Sequence, residues 1–350
     1  VDSSVAALLL RDQGHDVIGL FMRTGTHAEM TERRSKTCCS VADALDARAV
    51  ADRLDLPFYA LDFAEEFGRI RDDFAAEYLA GRTPNPCVRC NIWLKFGKLW
   101  DYGRQVGADF VATGHYARIE VSPHDGTPRV GRAVDREKDQ SYVLFGLGAD
   151  VLPHVLLPVG GYRKSEIRDL AREAGLPVHD KADSQEICFI PDHDVRGFVR
   201  AHRPDRPDTS GMVRDESGRE LGSHDGIEGF TIGQRRGLGV AAVGEPRYVV
   251  GIEPGSRVVT IGPRASLERP GLEASGFNWQ GVAPSGLTRC RAQIRARHRA
   301  VEATAEALGD DRVRVRFDVP QPSVAPGQVV VLYQDDLVLG GGWIDRAIDD

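Results

Sequence analysis

The chain opens Val1-Asp2-Ser3-Ser4-Val5-Ala6-Ala7-Leu8-Leu9-Leu10-Arg11-Asp12-Gln13-Gly14-His15-Asp16-Val17-Ile18-Gly19-Leu20-Phe21-Met22. Ser3 or Ser4 can cap a helix that Gly14 stops, and the apolar run 17–22 behind it has the length and content of a strand. The same unit recurs downstream. Residues 41–54 carry the helical period, 57–61 read as a strand, 63–79 and 92–106 as helices, and 110–113 as a strand. Strands alternating with helices predict an α/β domain with a parallel sheet covered on both faces.

Beyond His115 the pattern changes. Residues 117–121 and 129–133 predict a hairpin turning near Asp125-Gly126, and 165–174, stopped by Gly175, one more helix. After about residue 210 alternating valine-rich runs, glycines and prolines replace helices, which predicts a small β-rich domain followed by a β-barrel. The expected divisions are 1–194, 195–254 and 255–350. A length of 350 residues accommodates two or three domains. With 41% hydrophobic and 28% charged residues, the composition excludes a disordered chain.

Forty-five Lys and Arg against 52 Asp and Glu give a net charge of −7, so bulk charge advertises no nucleic-acid partner, and any such surface must be local. Six cysteines are too few for a disulfide scaffold and read as thiols kept for chemistry or for the core. No apolar run approaches a membrane span and no cleavable leader is evident, so the expectation is a cytoplasmic protein without a membrane partner.

Four segments carry chemistry. Val1-Asp2-Ser3-Ser4 at a helix N-terminus is either a plain cap or an anion site built from backbone N–H groups and the helix dipole. Gly81-Arg82-Thr83-Pro84-Asn85-Pro86-Cys87-Val88-Arg89-Cys90-Asn91 is a proline-stiffened loop leading into a helix expected near Asn91. There a thiolate beside Arg89 is favoured, and the C-x-x-C is ambiguous among a redox pair, a metal clip and structural thiols, with metal and redox about even. Asp183-Ser184-Gln185-Glu186-Ile187-Cys188-Phe189-Ile190 sets Cys188 among apolar residues, as a core thiol or as the end of a functional polar run. Thr113-Gly114-His115-Tyr116 closes a predicted parallel strand, where His115 would project into a ligand crevice or merely turn the chain.

Together with Lys138-Asp139-Gln140-Ser141-Tyr142 and Phe230-Thr231-Ile232-Gly233-Gln234-Arg235-Arg236-Gly237-Leu238-Gly239, these segments make the whole chain resemble the tRNA-uridine 2-sulfurtransferase (tRNA 2-thiouridylase) family. Asp2-Ser3-Ser4 is similar to the tail of the pyrophosphate loop of N-type ATP pyrophosphatases. The resemblance implies that adenine nucleotide alpha hydrolase-like fold, with the first strand and the start of the loop missing from the sequence. It also implies ATP and Mg²⁺, adenylation of a uridine O2 in tRNA, and displacement of AMP by sulfur. By motif match Cys90 is the nucleophile, and Cys188 receives persulfide sulfur from a donor protein. A disulfide between them during turnover would follow. Val1, Asp2, Ser3, Ser4, Met22 and Gly114 match the ATP site; Asn85, Pro86 and Cys87 surround the target base; His115, Lys138, Asp139 and Gln140 match tRNA contacts. Many relatives carry Asp where this chain has Cys87. The resulting three thiols, Cys87, Cys90 and Cys188, equal the count that some related tRNA thiolases use for a [4Fe–4S] cluster. An ATP-pyrophosphatase ligase or amidotransferase acting on a small substrate, and a non-catalytic RNA-binding or redox protein, are the competing readings.

The local basic surface is sought where arginines alternate. Arg289, Arg291, Arg295, Arg297 and Arg299 all occupy odd positions, with Cys290, Ala292, Ile294 and Ala296 expected inward. This strip contains no acid and predicts a phosphate track, against the alternative of a solvated barrel face. Arg312, Arg314 and Arg316 repeat the pattern. The family match adds Arg297, His298 and Gln328 as tRNA contacts, and Arg235 and Arg236 join Arg295 as candidates. The expected nucleic-acid partner is tRNA; DNA is not expected.

Overall fold

The computed structural model describes residues 1–25, 41–183, 187–190, 194–240 and 245–349. Cys38, Cys39 and the Ser184–Gln185–Glu186 part of the Cys188 motif lie outside the described residues. The chain divides into two compact units. The first comprises 1–70, 87–193 and 336–338; the second comprises 71–86, 194–335 and 339–350.

In the first unit the expected alternation is present. Helix α1 (Asp2–Asp12) leads to β1 (Gly19–Arg23), α2 (Val41–Leu54) to β2 (Phe58–Asp62), and α3 (Ala64–Leu79) follows. Strands β1 and β2 pair in parallel, Gly19 with Phe58 through Arg23 with Asp62. α1 buries Val5, Ala6, Leu8 and Leu10, and the first three pack with Val50 and Leu54 of α2. This i, i+3, i+4 stripe of aliphatics gives the segment its reason to be a helix.

Helix formation begins earlier than the apolar period suggested. Pro86–Arg89 (α4) continues through Cys90–Lys98, wound as a π-helix, into α5 (Leu99–Gln105). A proline at the first helical position needs no donor and fixes φ, so the start moves from Asn91 back to Pro86. The cysteines therefore lie on the helix and not in the loop before it. Gly97 fits the wide turn, since a Cβ there would stand 2.7 Å from the Ile92 carbonyl oxygen five residues earlier.

β3 (Val111–Ala112) comes next, then the hairpin β4 (Ala117–Val121) and β5 (Pro128–Arg132), and β6 (Val155–Leu156), which pairs in parallel with β3. α6 (Lys164–Glu173) closes the α/β part. Its buried Ile167 and Ala171 join Val5 and Leu8 in one core.

The second unit opens, after 71–86, with α7 (Val195–His202), a helix with no counterpart in the sequence reading. The Asp194 carboxylate accepts from Gly197 N and caps it. A four-stranded sheet follows in the order β8 (Glu220–His224), β7 (Gly211–Asp215), β10 (Val258–Gly262), β9 (Tyr248–Glu253) around Val213, Ile227, Phe230, Val249 and Ile261. The last six strands form a closed barrel. These are β11 (Glu268–Trp279), β12 (Leu287–Gln293), β13 (Val301–Gly309), β14 (Arg312–Pro322), β15 (Val329–Gln334) and β16 (Leu337–Ile348). They neighbour in the order β11-β14-β13-β12-β15-β16, and β16 pairs back to β11. Alternate residues Ala303, Ala305, Val313, Val315 and Phe317 fill its interior.

Candidate active site and RNA-facing surface

The expected cap residues Ser3 and Ser4 lie inside α1, whose N-cap is Val1 without a side-chain cap. Asp2 is engaged elsewhere: its carboxylate accepts from Tyr116 Oη at 2.8 Å and from Lys164 Nζ at 2.7 Å. Lys164 also stands 3.0 Å from Asp183, which pairs with Lys138 at 2.9 Å and Arg168 at 2.9 Å. Burial raises the Asp183 carboxyl, but the bonds from Lys138 and Lys164 outweigh it and bring it down to about 2. The aspartate is thus ionised throughout the neutral range. Tyr116 is pushed the opposite way, by burial and then by the charge of Asp2, and stays a hydroxyl donor.

Gly114 sits directly on this helix end. A Cβ at Gly114 would lie 2.6 Å from the Asp2 carbonyl carbon and 2.9 Å from Ser3 Cα, so backbone meets backbone there. The helix N-terminus and the Gly114 backbone thereby meet, and Lys164 joins Asp2 at that end to Asp183, which also holds Lys138 and Arg168. Met22 lies near the carboxyl end of β1, half-buried.

Both cysteine segments rest on α3. Phe67 meets Phe189 edge-to-face at 5.6 Å, while Arg69 lies 5.7 Å from the ring of Trp93, which also carries Arg89 at 4.8 Å. Cys188, in the turn 187–190, and Cys90, at the head of the π-helical turns, are each half-buried, whereas Cys87 is exposed. Among the described residues no group of three or more His, Cys, Asp and Glu is arranged to hold a metal, so Cys87, Cys90 and Cys188 are not assembled as an iron–sulfur ligand set. Cys290 is the expected core thiol: burial pushes it up to about 12, and its sulfur faces the Ala303 carbonyl at 3.7 Å.

His115 does not project into open space. It is 6% exposed, with Nδ1 2.7 Å from Thr113 Oγ1 and Nε2 3.5 Å from Lys95 Nζ. Asp139 is absorbed by Arg132, the Ala133 N–H and Ser141, and Gln140 exchanges hydrogen bonds with the Tyr116 backbone. Asn91, 1% exposed, donates Nδ2 to the Val143 carbonyl at 3.0 Å, and among the described residues its Oδ1 has no partner. A cavity of about 640 Å³ opens beside Asp62, Phe63, Lys98 and Tyr102, but none of the expected site residues lines it.

In the second unit the loop expected to surround the target base is clamped. Gln328 Nε2 donates to the Thr83 carbonyl at 2.8 Å, and Thr83 N donates to the Pro326 carbonyl at 2.8 Å. Gln328 therefore holds the backbone just before Asn85 and Pro86. Gln328→Leu is expected to free this loop and to reduce stability by about 1 kcal/mol. Thermal melting would check this; an unchanged melting temperature would show that the two bonds do not clamp the loop.

The arginine strip is corrected by its neighbours. β12 ends at Gln293, so Arg295, Arg297 and Arg299 lie beyond the strand, and Ala296 is exposed instead of inward. Acids absent from the strip arrive across the sheet. Asp318 holds Arg289 through two bonds, and Glu273 holds both Arg314 and Arg346. Cross-strand pairing is invisible in a linear reading. Arg295 bonds the Pro322 carbonyl, and Arg297 and Arg299 are exposed on the turn. His298 is fixed by the Ile294 N–H and by Gln321, and burial lowers its pKa. Arg235 and Arg236 are exposed in a turn held by Gln234.

The residues the sequence reading left unassigned are Lys95, Tyr116, Lys164 and Arg168, together with the role of Asp183. Asp2 and Lys164 stand 162 positions apart, and only the fold joins them.

Three family models match the chain in order. A tRNA methyl transferase HUP domain covers residues 1–192, a tRNA methyl transferase PRC-barrel domain 196–263, and an aminomethyltransferase β-barrel domain 269–344. The chain is 47% identical over 353 residues to the tRNA-specific 2-thiouridylase MnmA of Geotalea uraniireducens, spanning 100% of this chain and 93% of that protein. It is 44% identical over 381 residues to that of Rhodopirellula baltica, with 100% and 95% covered. It is 44% identical over 350 residues to that of Clostridium perfringens, with 99% and 96% covered.

Proposed function

Since the chain belongs to the tRNA-specific 2-thiouridylase MnmA family, we propose that it replaces the C2 oxygen of a uridine in tRNA, at the anticodon wobble position, with sulfur. The observation that carries this reading is the pair of links leaving the α1 N-terminus. Asp2–Lys164–Asp183 leads to the segment of Cys188, and Gly114–His115–Lys95 leads to the helix of Cys90. An anion site tied to two thiol segments suits a reaction that first activates with a nucleotide and then delivers sulfur.

In this proposal ATP binds with its phosphates at the α1 N-terminus, and Mg²⁺ travels with those phosphates. The uridine O2 attacks the α-phosphorus and pyrophosphate leaves. A persulfide-carrying donor protein passes its outer sulfur to Cys188. That sulfur attacks C2, the C2–O2 bond breaks, and AMP carries the oxygen away. The Cys90 thiolate then attacks the Cys188 sulfur, releasing 2-thiouridine and leaving a Cys90–Cys188 disulfide that a thiol reductant reopens. The two thiols lose two electrons and the sulfane sulfur gains them. These steps run through thiols, and none is routed through a cluster.

Nucleosides from tRNA incubated with protein, ATP and a persulfide donor are expected to contain 2-thiouridine by mass spectrometry. A methylated uridine would point instead to the chemistry in the name of the matched HUP model, and an unmodified one would overturn the reading. Arg297 and Arg299 on the barrel turn are proposed phosphate contacts. Arg297→Glu is expected to weaken tRNA binding and to reduce its salt slope by about one. A filter-binding titration with an unchanged slope would remove that turn from the RNA surface.

A further inference from the structure

Among the described residues Lys95 is a cation without a counter-charge. Among the described residues its partner is the His115 imidazole, 3.5 Å away, and no carboxylate pairs with it. An ammonium can only donate, so His115 Nε2 must accept and Nδ1 must carry the proton, which goes to Thr113 Oγ1 at 2.7 Å. Burial, and then the charge of Lys95 itself, hold the imidazole well below its ordinary pKa, consistent with this neutral tautomer. The result is an ammonium gripped by one neutral acceptor, half-buried, with N–H groups to spare.

Its placement follows from the backbone. In an α-helix a residue five positions on lies about 140° round the axis. The i→i+5 winding of Cys90–Lys98 brings Lys95 back to the side of Cys90. On the same stretch, four residues before Lys95, Asn91 holds a buried carbonyl oxygen with no partner among the described residues. His115, which grips Lys95, directly follows Gly114, whose backbone lies against Asp2 and Ser3 at the start of α1. The Lys95 charge thus reaches the α1 N-terminus only through His115 and Gly114, and an anionic ligand held at that end is what such a charge would neutralise.

We propose that Lys95, held by the Thr113–His115 relay, is a ligand to the α-phosphate of the bound adenosine nucleotide, on the helix that carries Cys90. This rests on the α1 N-terminus being the nucleotide site. Lys95 then stabilises the charge that the α-phosphate carries as AMP departs, beside the thiol that completes sulfur transfer.

Equilibrium dialysis with AMP and with adenosine separates the parts. Lys95→Met is expected to weaken AMP binding by at least about tenfold and leave adenosine binding unchanged, while Lys95→Arg retains most of the AMP affinity. Thr113→Val, which removes the hydroxyl acceptor and releases the tautomer, is expected to weaken AMP several-fold without touching Lys95, and it keeps the test open should Lys95→Met fail to fold. Equal AMP affinity in wild type, Lys95→Met and Thr113→Val would overturn the proposal while leaving the nucleotide site standing. Equal loss of AMP and adenosine would reduce Lys95 to a structural role and overturn it as well. Wild-type protein that binds neither AMP nor adenosine would instead sink the nucleotide site.

Discussion

Cys90→Ser and Cys188→Ser are each expected to cut 2-thiouridine formation by about 10³-fold or more while tRNA-dependent exchange of pyrophosphate into ATP continues. Serine keeps the size of the side chain but cannot accept or release sulfane sulfur. The adenylation half of the proposed reaction uses neither residue, so the two half-reactions should separate cleanly. Cys188→Ser should also fail to take up labelled sulfur from a persulfide donor, whereas Cys90→Ser should still take it up and retain it. Loss of exchange in both variants would mean that the thiols shape the nucleotide site, and full thiolation in either would end the relay. Cys87→Ser, at an exposed thiol, is expected to retain sulfur uptake at Cys188, and its loss would bring the third thiol into the relay.

Gly114→Ala is the second large effect. The new methyl would meet backbone atoms of Asp2 and Ser3, which cannot rotate away as a side-chain tip would. Overpacking of this kind costs about 1–3 kcal/mol, and α1 must slide to relieve it. The slide disturbs Asp2 with its bonds to Tyr116 and Lys164, so the disruption reaches the cations about Asp183. ATP affinity is expected to fall by about a hundredfold, the scale of an ångström-sized misplacement, and the melting temperature should drop with it. Calorimetric titration with ATP would show this; wild-type affinity in a folded Gly114→Ala protein would detach Gly114 from the nucleotide site.

Local signals served well where one element is stabilised by its own pattern. The aliphatic stripe of α1, the strand β2, the hairpin at Asp125-Gly126 and the alternating valines of β14 all stand where the sequence reading put them. The reading faltered where geometry depends on a partner. The helix start moved to Pro86 because φ restriction outweighs apolar period, and the π-winding depends on Gly97 against Ile92. The alternation of the first arginine strip holds only while the chain is a strand, through Gln293.

The sequence by itself determined the alternating α/β order, the β-rich second half, the core placement of Cys290 and the motifs that place the chain in its family. These depend on residue type and short spacing, which a linear pattern preserves. The tertiary structure alone decided which charges are neutralised and which remain. It gave Asp318 to Arg289, Glu273 to Arg314 and Lys164 to Asp2, and it left Lys95 with a neutral histidine. Coulomb energy depends on distance through space, and the residues that share these charges stand between 20 and 162 positions apart along the chain. The opening stretch shows the division plainly. Asp2-Ser3-Ser4 announces a helix start from its letters, but its place in a charged site comes only from Gly114, Tyr116 and Lys164 folding back onto it.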